Sequence, residues 1–156
     1  MIRGLLFDMD GLIFDSERAV QRSWNAAGQK LGYGNVGEHI HNTLGMNVTS
    51  RTKYFKETFG EDFPNEDFRN IAREEFFKIA DTEGIEMKPG AMELISYAKQ
   101  MGYQLALVTS SGRQYAVQML KNAGIYEYFD GFVFGDMVTC SKPDPEIYRK
   151  AYEMLA

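Results

Sequence analysis

Two carboxylates follow a short apolar run near the start of the chain. Asp8 and Asp10 come directly after the residues GLLF, and Gly11 then allows a turn. Two acids this close repel each other, so either a cation lies between them or one of them holds a proton. Carboxylate oxygens suit a hard divalent ion such as Mg²⁺, and a carboxylate can also attack phosphorus to give an aspartyl phosphate. The pair therefore indicates metal binding together with acid–base or nucleophilic chemistry.

Two later segments carry polar groups that suit a phosphoryl group. The stretch LVTSS ends in Thr109, Ser110 and Ser111, whose hydroxyl and backbone N–H groups can hold phosphoryl oxygens. Lys142, in SKPDP, can offset the charge of those oxygens. Each segment follows an apolar run that predicts a strand, and ligands bind at the carboxyl ends of parallel strands. We therefore expect the three segments to meet at one edge of a sheet.

The spacing of apolar residues predicts the elements that position these segments. Residues 2–7 predict a buried strand, and further strands are predicted at 104–109 and 132–134. Helices are predicted between Asp15 and Gly32, near 36–44, near 50–59, at 65–81, 91–101 and 113–123, and from Pro145 onward. Strands that alternate with helices indicate a parallel sheet covered on both faces.

The predicted fold class is α/β, with a Rossmann-like parallel-sheet core and an inserted helical domain. Residues 1–15 and 87–156 would form the core, and residues 16–86 would form an all-helical insertion because the apolar spacing there stays helical throughout.

Composition narrows the class of partner and the location. A net charge of -5 argues against a nucleic-acid or anionic-membrane surface. No stretch approaches the roughly 18 apolar residues of a membrane span, and the single cysteine, Cys140, permits no intrachain disulfide. We therefore expect a cytoplasmic protein that acts on a small molecule.

The motifs FDMDG, LVTSS and SKPDP, in this order and with a helical insertion after the first, resemble the haloacid dehalogenase-like superfamily of aspartate phosphotransferases. The stretches FDMDGLIFDSE, KPGAMELI and SKPDPEIY are most similar to its subgroup of sugar-phosphate phosphatases and β-phosphoglucomutase. The resemblance covers essentially the whole chain. It implies Mg²⁺-dependent hydrolysis of a small phosphomonoester, such as a sugar phosphate, through an aspartyl phosphate.

The resemblance also implies a role for each motif residue. Asp8 would be the nucleophile and a metal ligand, and Asp10 the general acid and base, which also lends its carbonyl oxygen to Mg²⁺. Thr109 would bind the phosphoryl group, and Lys142 would steady that group and the nucleophile. The helices of residues 16–86 would form a mobile cap that closes over the site and excludes water.

Four further residues are candidates for substrate binding. Ser110 and Ser111 belong to the phosphate-holding segment. Arg51, in the insertion, and Arg113, just after the serines, could each grip an anionic group of the substrate, since arginine binds phosphate in a fork. For both arginines, exposure on a helix surface without contact to the substrate is an equal alternative to substrate binding.

Two departures from the family pattern bear on function. β-Phosphoglucomutase-like members carry a histidine early in the first cap helix, where this chain has Val20, and this favours a phosphatase over a phosphosugar mutase. The fourth family motif, an acidic pair that completes the Mg²⁺ site, has no counterpart before the final AYEMLA. We therefore expect a truncated or cleaved form of a longer enzyme, the alternative being a non-catalytic binding or assembly fragment if the chain really ends at residue 156. The first strand would then be an exposed apolar edge that favours self-association.

Other apparent motifs carry no function. GYGNVG, residues 32–37, matches G-x-G-x-x-G but follows a helix instead of a strand, so it predicts a helix end and a loop. An EF-hand starting at Asp8 is excluded because Ala19 stands where its glutamate belongs. His39 and His41 lack a third ligand, and Cys140 lacks a histidine partner, so we expect packing or surface roles for the histidines and packing for the cysteine.

Overall fold

The apolar runs fold as short parallel strands, and the longer amphipathic stretches between them fold as helices. The computed structural model describes residues 3–44, 46, 48–140 and 142–156. The strands are β1 (Gly4–Phe7), β2 (Gln104–Val108) and β3 (Gly131–Val133). The α-helices are α1 (Ser16–Lys30), α2 (Ile40–Thr43), α3 (Val48–Phe59), α4 (Asn65–Glu83), α5 (Ala91–Gln100), α6 (Arg113–Asn122) and α7 (Glu146–Leu155). Short 3₁₀ helices lie at Val36–His39, Tyr126–Tyr128 and Gly135–Met137. The predicted α/β class with a parallel sheet is confirmed.

The sheet has the order β1-β2-β3, with parallel pairing on both sides of β2. Gly4 lies opposite Gln104, and Val108 lies opposite Val133. The central strand β2 is buried from Leu105 to Val108, which explains its unbroken apolar run. Within the described residues, β1 pairs with β2 alone and therefore forms an edge of the sheet.

Helix α7 covers one face of the sheet. Its Ile147 and Ala151 pack with Ala106 and Val108 of β2 and with Val133 of β3, and all five are buried. Because side chains alternate along a strand, the intervening residues of β2 face the opposite side, where they are buried as well. The sheet is thus held between two apolar layers, and its strand ends are fixed in position.

The chain divides into two compact units. One consists of Met1–Asp15 with Glu86–Ala156, and the other is Ser16–Ile85. The two segments that join them pair with each other, because Phe14 forms an antiparallel bridge with Met87. In addition, the backbone N–H of Asp15 donates to the Glu86 carbonyl at 2.8 Å. Every regular element described within the second unit is helical, as predicted.

The helical unit is organised around an aromatic core. Phe55 is 2% exposed, and its ring centroid lies 5.4 Å from that of Trp24 and 5.3 Å from those of Phe63 and Phe68. The rings meet mostly edge to face or tilted, geometries that favour aromatic pairs. A bidentate ion pair between Arg22 and Glu83 links α1 to α4 at the surface.

The motifs set aside above have structural roles. Gly32 and Gly34 have positive φ angles in the loop after α1, so residues 32–35 of GYGNVG form a helix end and a loop, as predicted, while Val36 and Gly37 begin a 3₁₀ helix. The His39 ring lies 2.8 Å from the Tyr54 hydroxyl and packs beside Phe59. Instead of one helix near 36–44, the structure has a 3₁₀ helix followed by the short α2. Gly37 in the 3₁₀ helix lies so close to the Gln21 carbonyl of α1 that a Cβ there would collide with it. Among the described helices, none combines the length and the apolar character needed to cross a membrane.

Candidate active site

The end of β1 turns sharply and presents its two carboxylates. Phe7 and Met9 are buried, whereas Asp8 and Asp10, which alternate with them along the chain, are partly exposed. The backbone N–H of Met9 donates to Asp8 Oδ1 at 2.9 Å. Gly11 has a φ of 77°, a value that glycine adopts without strain, and the chain turns there. The turn therefore holds both acids at the carboxyl end of the sheet.

Lys142 joins the ends of the first two strands. Its Nζ donates to Asp8 Oδ1 at 2.9 Å and to the Val108 carbonyl at 3.0 Å. The Lys142 side chain is 21% exposed and that of Asp8 is 45% exposed, so the ion pair is open to solvent on the Asp8 side. The structure thus brings together two predicted residues that are 134 positions apart in the chain.

Asp10 is held by two hydroxyl groups. Ser111 Oγ donates to Asp10 Oδ2 at 2.7 Å, and the Tyr115 hydroxyl donates to Asp10 Oδ1 at 3.0 Å. Burial raises the pKa of Tyr115, and the neighbouring negative charge of Asp10 raises it further, so the phenol remains a neutral donor. The sequence pointed to Ser111 but not to Tyr115, since an aromatic residue at a helical position is ordinarily read as core.

The segment after β2 is fixed from two sides. Thr109 is buried, its N–H donates to the Val133 carbonyl at 3.0 Å, and its Oγ1 accepts the N–H of Ser111 at 3.1 Å. The N–H of Gly135 donates to the Ser111 carbonyl at 2.9 Å. A Cβ on Gly135 would collide with the Ser110 carbonyl, so glycine alone permits this close approach. Ser110 itself is exposed at the rim of the site.

Arg113 is directed toward the loop after β3. Its backbone N–H donates to Asp136 Oδ2 at 3.2 Å, which fixes the start of α6. Its guanidinium lies 5.2 Å from the centroid of the Phe134 ring and contacts the Met137 sulfur at 3.8 Å. The side chain is exposed and lies beside the segment that carries Ser111.

Arg51 lies in the helical unit, on α3. Its guanidinium carbon is 5.6 Å from the centroid of the Trp24 ring, a cation–π distance. Burial lowers the pKa of Arg51, and the positive charge of Arg69 lowers it further. A partly desolvated guanidinium beside a second cation is an arrangement that favours an anion.

The donor set at the end of β1 fits a magnesium ion. Asp8 offers a carboxylate that is half-exposed, and oxygen ligands are those that Mg²⁺ prefers. Both carboxylate oxygens of Asp10 are engaged by hydroxyls, whereas no hydrogen bond within the described part of the chain uses its backbone carbonyl. The Asp8 carboxylate and the Asp10 carbonyl are therefore the groups suited to hold the ion.

A second acidic cluster has a structural role. Ligand atoms of Cys140, Asp144 and Glu146 lie within 4.8 Å of one another. Glu146, however, pairs with the Lys150 ammonium and accepts the N–H groups of Cys140 and Thr139, and these contacts lower its pKa to about 2. The carboxylate thus fixes the loop before α7. Cys140 is exposed, so the expectation that it is a packing residue is wrong: the loop held by Glu146 leaves its side chain outside the core.

Comparisons with known proteins agree with this geometry. The family model described as haloacid dehalogenase-like hydrolase matches residues 5–156. The chain is 28% identical over 154 residues to a phosphorylated carbohydrates phosphatase of Thermotoga maritima, with 99% of this chain and 71% of that protein covered. It is 31% identical over 155 residues to hexitol phosphatase A of Escherichia coli, with 98% and 68% covered.

Solved structures show the same likeness. The chain matches CbbY from Rhodobacter sphaeroides in complex with phosphate with a TM-score of 0.79 and 29% identity, covering 99% of this chain and 73% of that one. A CbbY mutant from the same organism, in complex with xylulose-1,5-bisphosphate, matches with a TM-score of 0.79 and 28% identity, again covering 99% of this chain and 73% of that one. The family match spans nearly the whole chain and includes every motif segment at the strand ends. The chain therefore belongs to the haloacid dehalogenase-like hydrolases.

Proposed function

We propose that the protein is a Mg²⁺-dependent phosphatase that hydrolyses a small phosphomonoester, a sugar phosphate, through an aspartyl phosphate on Asp8. The observation that carries the proposal is the contact of Lys142 with Asp8 Oδ1 and the Val108 carbonyl, next to an Asp10 carboxylate held by two hydroxyls. The names of its relatives, which include phosphatases of phosphorylated carbohydrates and hexitols, support the substrate class.

Asp8 acts as the nucleophile and Asp10 as the acid and base. In the first half-reaction, an Asp8 oxygen bonds to phosphorus while the bond from phosphorus to the substrate oxygen breaks, and that leaving oxygen takes a proton from Asp10. In the second half-reaction, a water molecule gives a proton to Asp10 and bonds to phosphorus, and the bond from Asp8 to phosphorus breaks. One water is consumed, inorganic phosphate leaves, and both aspartates return to their starting states.

Positive charge is needed because an anionic nucleophile meets an anionic substrate. Lys142 lies 2.9 Å from Asp8 and can offset that repulsion. Mg²⁺, held by the Asp8 carboxylate and the Asp10 carbonyl, would supply further positive charge to the phosphoryl oxygens. The Thr109 hydroxyl accepts the Ser111 N–H and retains its own proton, which it can donate to the phosphoryl group.

The two compact units take separate roles in this proposal. Met1–Asp15 with Glu86–Ala156 is the catalytic core, and Ser16–Ile85 is the cap that excludes water from the reaction. Ser110 and Arg113 at the rim and Arg51 in the cap are proposed to contact the substrate. Val20 packs against the aromatic core of the helical unit, a position that supplies no acid or base, and this supports a phosphatase over a mutase.

Hydrolysis of 4-nitrophenyl phosphate tests the proposal. We expect turnover with Mg²⁺, its loss on chelation of the metal, and a loss of at least about 10³-fold in kcat in Asp8→Asn. Asp15→Asn is a matched control, since Asp15 is 42% exposed and also pairs with a lysine, Lys88 at 3.1 Å. The proposal is wrong if the wild type shows no Mg²⁺-dependent turnover, or if both variants lose the same activity.

A further inference from the structure

We propose that Tyr115 is a positioning residue, which together with Ser111 fixes the direction in which Asp10 meets the leaving oxygen of the substrate. This inference rests on the proposed function, in which Asp10 exchanges a proton with that oxygen. Each carboxylate oxygen of Asp10 has its own hydroxyl donor, Ser111 Oγ at 2.7 Å and the Tyr115 hydroxyl at 3.0 Å. A carboxylate turns broadly about its last torsion, and donors on both oxygens select one orientation.

The two donors come from a rigid support. The backbone of Ser111 is bonded at both ends, through its N–H to Thr109 Oγ1 and through its carbonyl to the N–H of Gly135. Helix α6, which carries Tyr115, begins at Arg113, whose N–H is held by Asp136. The loop after β3 therefore anchors both the backbone of the serine and the start of the helix that carries the tyrosine.

The hydroxyl of Tyr115 contributes more than packing. A phenylalanine would fill the same volume, so packing alone does not require the oxygen. A carboxylate oxygen has two lone pairs, and one remains for the substrate when the hydroxyl occupies the other. The pair can thus orient Asp10 without blocking proton exchange, and this separates the role of Tyr115 from that of a catalytic residue.

The inference predicts a dependence on the leaving group. An alkoxide needs a proton to leave, whereas nitrophenolate leaves without one, so a poorly aimed Asp10 slows phosphoryl transfer to Asp8 only from the alkyl substrate, and kcat/KM reports this step. Hydrolysis of the aspartyl phosphate, in which Asp10 is the base, is the same for both substrates. We expect Tyr115→Phe to lower kcat/KM on β-glycerol phosphate roughly tenfold and kcat/KM on 4-nitrophenyl phosphate less than about twofold. Ser111→Ala removes the donor from the other oxygen and should show the same split in kcat/KM. Tyr97→Phe removes a hydroxyl from an exposed tyrosine on α5 and should leave kcat/KM on both substrates unchanged.

A double-mutant cycle gives a readout that needs no activity. We expect the urea midpoint losses of Tyr115→Phe and Asp10→Ala to be non-additive, because both variants remove the same hydrogen bond. With an active wild type, equal kcat/KM losses on the two substrates, a higher kcat/KM on β-glycerol phosphate in Tyr115→Phe, or an additive cycle would overturn the inference alone. A wild type that hydrolyses neither substrate would instead overturn the proposed function, and the catalytic part of this inference with it.

Discussion

Replacing Lys142 with methionine removes a charge from the site while keeping most of the side-chain volume. The Nζ group lies 2.9 Å from Asp8 Oδ1 and 3.0 Å from the Val108 carbonyl, so the variant loses one ion pair and one hydrogen bond. At that separation the attraction is about 6 kcal/mol for an effective dielectric constant of about 20 and about 1.4 kcal/mol in water. Measured ion pairs that are open to solvent contribute only about 0–1 kcal/mol, and Asp8 is 45% exposed.

The expected cost in stability is therefore small. Adding about 1 kcal/mol for the bond to the carbonyl, we expect Lys142→Met to lower the free energy of unfolding by about 1–2 kcal/mol. The effect on turnover should be larger, because the charge is needed most when the phosphoryl group meets Asp8. Loss of one such donor lowers kcat roughly 10²–10³-fold in other enzymes.

Lys150→Met is the matched control. Lys150 also donates to a backbone carbonyl, that of Met137 at 2.6 Å, and pairs with a carboxylate, that of Glu146 at 2.9 Å. We expect it to lose a similar stability and to keep kcat within about twofold of the wild type. The measurements are urea unfolding and hydrolysis of 4-nitrophenyl phosphate. The reasoning is refuted if Lys142→Met keeps kcat within about twofold, or if both lysine variants lose activity equally.

Three further predictions concern stability and association. The pKa of Glu146 is lowered from 4.5 to about 2, so the contribution of this carboxylate to stability is present above pH 4.5 and is lost as the pH falls toward 2. The thermal unfolding midpoint of Glu146→Gln should therefore lie below that of the wild type at neutral pH and approach it in acid. A difference between the two midpoints that does not change with pH would contradict this. Phe55→Ala should cost about 3–5 kcal/mol of unfolding free energy in urea because it opens a cavity among five aromatic rings of the described helical unit, and a loss below about 1 kcal/mol would show that the ring is not central to the core. If the β1 edge mediates self-association, Leu6→Lys, at a residue 37% exposed, should shift sedimentation toward the monomer, and an unchanged distribution would exclude this edge.

Much of the fold and site could be predicted because the governing rules are local or topological. The unbroken apolar run of β2 indicates a strand buried on both faces, and its residues from Leu105 to Val108 are buried. Parallel strands place their carboxyl ends at one edge, so Asp8 and Lys142 could be expected to meet although they are 134 positions apart. Neither inference required knowledge of side-chain orientation.

The rest depended on orientations that no sequence pattern records. Whether the Tyr115 hydroxyl reaches Asp10 depends on the rotation of α6 about its axis, and the N–H contact of Arg113 with Asp136 is one constraint on it. Cys140 was expected to pack but is exposed, because Glu146 binds the backbone of its loop. Such contacts depend on loop conformation and side-chain direction, which the spacing of residues does not record.

The most direct test of the central claim is to detect the phosphoryl group on Asp8. The wild type, mixed with substrate and Mg²⁺ and quenched in acid within the first turnover, would be digested, and the peptide that contains residues 7–17 would be weighed by mass spectrometry. We expect this peptide to gain the mass of one phosphoryl group in the wild type and in Asp15→Asn, and not in Asp8→Asn. Turnover with no phosphorylated peptide at any quench time, or a phosphoryl group on a peptide that lacks Asp8, would contradict it.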